Sequence, residues 1–86
     1  MAESAVIYDL TKMDYIRSKR GRLDDYKEPG TGKQLKAKCL THDFVCQPTE
    51  GKSTEGKAGD YIVDEGSTWY AMPHAEFYSK HYIRVE

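Results

Sequence analysis

The chain has 86 residues, of which 38% are hydrophobic and 31% charged, with a formal net charge of −1. A chain this short buries only about 60% of its unfolded surface, yet this composition is that of a folded domain and not of a disordered tail. No apolar run approaches the roughly 20 residues that span a bilayer, and Glu3 and Asp9 flank only three apolar residues, Ala5, Val6 and Ile7, which is no signal-peptide pattern.

Ala5 to Leu10 is a short apolar stretch, read as a strand or a docked arm. From Lys12 to Tyr26 two readings stay open. Met13, Ile16, Leu23 and Tyr26 have helical spacing, whereas Ser18 and Gly21 leave room for a turn between two extended pieces. Pro29-Gly30-Thr31-Gly32 is a loop, because proline lacks a donor and glycine is permissive. Residues 1–34 are therefore expected to form an irregular N-terminal arm bearing a basic cluster, and 35–86 a β-rich core, within one small domain. Leu35 to Leu40 alternates, with Leu35, Ala37 and Cys39 on one side and Lys36 and Lys38 on the other. Phe44, Val45 and Cys46 predict a second short strand, and Pro48 to Ala58 a loop or extended hairpin tip.

Gly59-Asp60 opens a strand over Tyr61 to Val63, and Glu65-Gly66-Ser67 turns it back into Thr68 to Met72 as a hairpin. Pro73 suits the first turn of a helix. Ala75, Tyr78 and Tyr82 then form an apolar stripe on it, with Glu76 and Lys80 four residues apart. Beyond it, His81, Ile83 and Val85 alternate as a terminal strand. The predicted fold is α+β: a small curled antiparallel sheet with one short C-terminal helix.

The near-neutral total hides an asymmetry. Nine Lys/Arg and four Asp/Glu between Thr11 and Lys38 give +5; four basic and eight acidic residues from Cys39 onward give −4. Arg17, Lys19, Arg20 and Arg22, flanked by Tyr15 and Tyr26, could neutralise phosphates while rings stack on bases. Asp24, Asp25 and Glu28 follow at once, so a self-neutralised solvated face is the stronger reading and nucleic-acid binding the alternative.

Other chemistry finds less support. Cys39, His42 and Cys46, with His74 or His81, are ligand types that zinc prefers, but they lack a second compact ligand pair. Both cysteines read instead as buried free thiols, since two are too few for a secreted disulfide scaffold. His74 and His81, seven apart, would share a helical face with Phe77 between them. Pro29-Gly30-Thr31-Gly32-Lys33 is not a phosphate loop, because Lys27 and Gln34 occupy the positions of its other glycine and its Ser/Thr. No local catalytic signature surrounds either cysteine, and Asp60 reads as a turn residue. The sequence implies no enzyme, no metal and no cofactor.

Gly59-Asp60-Tyr61, Tyr70, Pro73, Phe77 and Tyr82 follow the order Pro-Gly-Asp-Tyr/Trp, apolar strand, Gly-Glu-x-Tyr-Pro, then Phe and Tyr. In that order the C-terminal part of the chain resembles the PGDYG family, small proteins frequent in bacteriophages and prophages. Ala58 stands in place of the first proline, Gly66-Ser67-Thr68 in place of the Gly-Glu, and Ala71-Met72 separate Tyr70 from Pro73. The resemblance implies a phage-type accessory protein in the bacterial host cytoplasm and carries no activity with it. With an aromatic share of 12%, the function expected is binding another protein, with Tyr61, Trp69 and Tyr70 as anchors on a sheet face. An exposed edge strand makes either a monomer or a homodimer reasonable.

Overall fold

The structure is a computed structural model, and it describes residues 5–18, 22–66 and 68–85. The chain runs β1 (Val6–Tyr8), α1 (Leu10–Ser18), β2 (Asp24–Lys27), β3 (Gln34–Cys39), β4 (Phe44–Cys46), β5 (Thr54–Gly56), β6 (Tyr61–Asp64), β7 (Trp69–Met72), α2 (His74–Ser79) and β8 (Ile83–Arg84). These elements make an α+β fold with two sheets. A five-stranded antiparallel sheet has the order β7-β6-β3-β2-β8, and a three-stranded sheet the order β1-β4-β5, in which β1 and β4 are parallel. The single antiparallel sheet with one helix expected from sequence is thus divided in two, with a second helix.

The N-terminal segment is not an irregular arm. Asp9 caps α1: its carboxylate accepts the Lys12 N–H at 2.9 Å, and its carbonyl takes the Met13 N–H. Met13 and Ile16 face inward from α1, as their spacing predicts. Neither reading of this stretch holds throughout: the helix ends at Ser18, and only the second half is extended, with β2 pairing to β3 in the register Asp24↔Ala37 through Lys27↔Gln34.

Strand alternation divides the large sheet into two buried faces. Tyr8, Met13, Ile16, Leu40, Phe44, Cys46, Ile62 and Trp69 form one core, between this sheet, α1 and the small sheet. Leu35, Ala37, Val63, Met72 and Phe77 form the other, under α2. Neighbours along β6 and β7 therefore go to opposite cores, Ile62 and Trp69 to the first and Val63 and Met72 to the second.

The small sheet is held tightly at Gly56, which pairs with Phe44. A methyl group there would run into the Phe44 ring. Thr54 Oγ1 accepts the Ala71 N–H at 2.9 Å, so β5 covers the outer edge of β7. The stretch from Pro48 to Ala58, read as a loop or an extended hairpin tip, contains β5, which returns antiparallel to β4. Among the described residues no helix is long and apolar enough to cross a membrane.

Candidate functional site

The three aromatic residues nominated from sequence do not share an outward face. Trp69 is 1% exposed. Its indole N–H donates to the Tyr8 carbonyl at 2.6 Å, and the Arg17 guanidinium lies 5.2 Å from its ring centroid. It is a core residue, because α1 and the small sheet cover the face to which β7 directs it. Tyr70 points the other way and is half-buried, its hydroxyl donating to Glu65 at 2.6 Å. Burial, and then this bond to Glu65, raise its pKa above the ordinary phenol range.

Tyr61 is half-buried and stacks on Phe77, with centroids 3.9 Å apart and planes 4° from parallel. Burial first, and then the Tyr78 hydroxyl, push its pKa up to about 12. Tyr78 itself is 62% exposed and sits 6.2 Å from both Tyr61 and His74. It does not join a buried stripe with Ala75 and Tyr82; Phe77 faces the sheet instead. Adjacent helical residues cannot face the same way, so the Phe77-Tyr78 pair already contained the signal that one ring is outward. Under α2, Asp60 accepts the backbone N–H of Lys57 at 3.0 Å and of His74 at 3.2 Å. The Lys57 bond, followed by those from His74, holds the Asp60 carboxyl below the usual range. Gly59 precedes it at φ 99°, the backbone the Gly-Asp turn requires.

His81 does not share a helical face with His74. α2 ends at Ser79, and His81 adopts φ 56°, turning the chain out of the helix toward β8. Cys39 is not buried: it lies on the α2 side of the sheet, opposite Tyr61, beyond the cover that α2 provides. Cys46 is buried, and burial pushes its thiol up to about 11. His42 lies on the other side of the sheet, its Nε2 3.2 Å from the Tyr8 hydroxyl. Cys39, His42 and Cys46 thus do not converge, and among the described residues no group of three or more His, Cys, Asp or Glu is placed to hold a metal.

In the basic segment, Arg17 is taken up by the fold. Its Nε and Nη2 donate to the two carboxylate oxygens of Asp64 at 2.8 and 2.7 Å, and Nη2 also donates to the Gly66 carbonyl at 2.8 Å. Asp64 is 4% exposed and Arg17 25%, so this is a part-buried bidentate pair and no open phosphate contact. Lys19 and Arg20 lie outside the described residues. Arg22 is exposed, 6.0 Å from the Tyr15 ring centroid.

Two clefts open on the α1 side of the sheet. One, of about 270 Å³, is lined by Asp25, Lys36, Asp64 and Glu65, and each carboxylate has a cation: Asp25 pairs with Lys36 at 3.6 Å, Asp64 with Arg17 and Glu65 with Lys33. The other, of about 320 Å³, lies between the start of β2 and the β3–β4 turn; Arg22, Lys38, His42 and Tyr8 line it over Leu40 and Ile62. Comparison of the chain with family models, with curated proteins and with solved structures finds no match.

Proposed function

We propose that this chain is a phage- or prophage-type accessory protein with no chemistry of its own, acting in the bacterial cytoplasm by binding another protein through the outer face of α2. The observation that carries the reading is Tyr78, 62% exposed and held between Tyr61 and His74 on a helix anchored by Phe77. A tyrosine gives a large amphipathic contact with few torsions to freeze, which is why such rings serve as interface anchors. Tyr61 remains part of the proposed surface, as the platform beneath Tyr78; Trp69 and Tyr70 leave it. The likeness of the C-terminal part to PGDYG proteins supports the setting. Support for a non-enzymatic role comes from the partners of Cys39 and His42: the thiol donates to the Gly59 carbonyl at 3.4 Å and the imidazole Nε2 lies 3.2 Å from the Tyr8 hydroxyl, so each is engaged away from the other.

The test is capture from a bacterial lysate with the parent chain and with Tyr78→Ser, whose exposed position leaves the core intact. A partner retained by the parent and lost by the variant supports the reading. In the complex, alkylation of Cys39, the cross-strand neighbour of Tyr61, slows. Capture of no protein, or equal retention by Tyr78→Ser, sinks it. The nucleic-acid alternative loses Arg17 to Asp64, and of its other residues only Arg22 is among those described.

A further inference from the structure

We infer that the cleft between the start of β2 and the β3–β4 turn binds a small amphipathic organic anion: a phosphate monoester or carboxylate on an apolar body. Its volume of about 320 Å³ falls at the small end of the range for ligand pockets. The site lies on the face of the sheet opposite Tyr78 and does not depend on protein binding at α2.

Its charge is one-sided. Arg17, Lys33, Lys36 and Arg84 each pair with a carboxylate. Arg22 and Lys38, which line the cleft, have no carboxylate within ion-pair distance among the described residues, and no carboxylate lines the cleft itself. Lys12 adds a third cation, with Nζ 5.7 Å from the centroid of the Tyr8 ring. Cations left unpaired around one concavity raise the local concentration of anions there.

The polar groups are positioned to take an anionic head. Tyr8 hydroxyl and His42 Nε2 are 3.2 Å apart. When the Nε2 proton is donated to the Tyr8 oxygen, the phenol O–H is left to donate to a ligand. Such a bond to an ionised oxygen is stronger than one between neutral groups, as are those from Arg22 and Lys38. The cleft also has an apolar wall. Half-buried Leu23 lines it and packs on the first core, while Leu40 and Ile62, 8% and 0% exposed, close its floor, so an apolar wall lies beside the cations. A bare inorganic anion would leave that surface wet, and a neutral apolar molecule would leave the cations unused. The two features together select a molecule with both parts.

The experiment is an amide chemical-shift titration of the whole chain at low ionic strength with phenyl phosphate, inorganic phosphate, benzyl alcohol and benzylamine. Phenyl phosphate is expected to saturate shifts at Leu23 and residues 38–42, with an affinity roughly tenfold or more above that of inorganic phosphate or benzyl alcohol, and benzylamine to leave these amides unmoved. The double variant Arg22→Gln, Lys38→Gln, both outside the core, is expected to keep the parent spectrum elsewhere and weaken phenyl phosphate by about tenfold or more. Absence of saturable shifts, shifts centred away from the cleft, benzylamine binding as well as phenyl phosphate, or unchanged affinity in the double variant would each overturn the inference. Tyr78→Ser is expected to bind phenyl phosphate as the parent does, so failure at α2 and failure at the cleft are read separately.

Discussion

At the scale of single residues, the two cysteines show how one residue type takes opposite roles. Cys39 sits on the correct face of its strand for burial, but at the end of β3 there is no helix above it. Cys46 lies in the first core with its thiol pushed up to about 11. The thiolate is the reactive form, so native protein is expected to take up one equivalent of iodoacetamide, at Cys39, and a second only when unfolded. Peptide mapping distinguishes this from modification at both sites in the native state, which would contradict the burial of Cys46. Gly56 is the second case, since its missing side chain is what admits the Phe44 ring. Gly56→Ala is expected to cost about 1–3 kcal/mol, as overpacking in a core does, and urea unfolding measures it. A change near zero would mean that Phe44 can move aside at no cost. The burial of Cys46 is what the sequence predicts; the exposure of Cys39 and the contact at Gly56 were not visible in it, because each depends on a part of the chain remote from it.

At the scale of elements, Arg17 ties a helix to a hairpin. It joins the end of α1 to the β6–β7 hairpin through Asp64 and the Gly66 carbonyl, and its guanidinium lies over Trp69. Asp64 also accepts the Gly66 N–H at 3.0 Å, so the carboxylate organises the turn as well as the helix. Removing the cation leaves a buried carboxylate short of donors; Arg17→Ala is expected to destabilise by about 3 kcal/mol. Arg17→Lys is expected to restore only part of this, because an ammonium cannot span both carboxylate oxygens and the carbonyl with one planar fork. Denaturant midpoints of the two variants provide the check, and parent-like stability in either would show that the pair contributes little. The sequence displayed Arg17 inside a basic run and suggested solvent. The competing pull of a carboxylate 47 positions away could not be read from it.

On the scale of the whole molecule, the large sheet is covered on both faces, and burial in or against the two resulting cores accounts for the state of five tyrosines. Tyr8, Tyr26, Tyr61, Tyr70 and Tyr82 all have pKa values raised above the ordinary 10.0, chiefly by burial. Cys46 is raised above its ordinary 9.0 for the same reason. A group whose pKa is higher folded than unfolded adds stability that is complete below the unfolded value and lost as pH rises through the folded one. Stability is therefore expected to hold up to about pH 9 and then fall through the range in which Cys46 and Tyr61 ionise, near 11 and 12. Urea midpoints at stepped alkaline pH, with tyrosinate absorbance followed in parallel, test this. Tyrosine ionisation complete near pH 10 without unfolding would contradict it.

The amino-acid sequence by itself determined the α+β class, the strands at Leu35, Phe44, Tyr61 and Trp69, the Gly59-Asp60 turn, the loop at Pro29 and the helix after Pro73. Each of these rests on local chemistry: two-residue alternation, proline without a donor, glycine at positive φ, a carboxylate meeting nearby N–H groups. Only the tertiary structure decided that β1 runs parallel to β4, that a second sheet exists, and that both faces of the large sheet are buried. Those facts set the exposure of every candidate residue. They put Trp69 inside and Tyr78 outside, tied Arg17 to Asp64, and left Arg22 and Lys38 around an open cleft. Exposure depends on what another part of the chain lays over a residue, and local pattern carries no information about that cover.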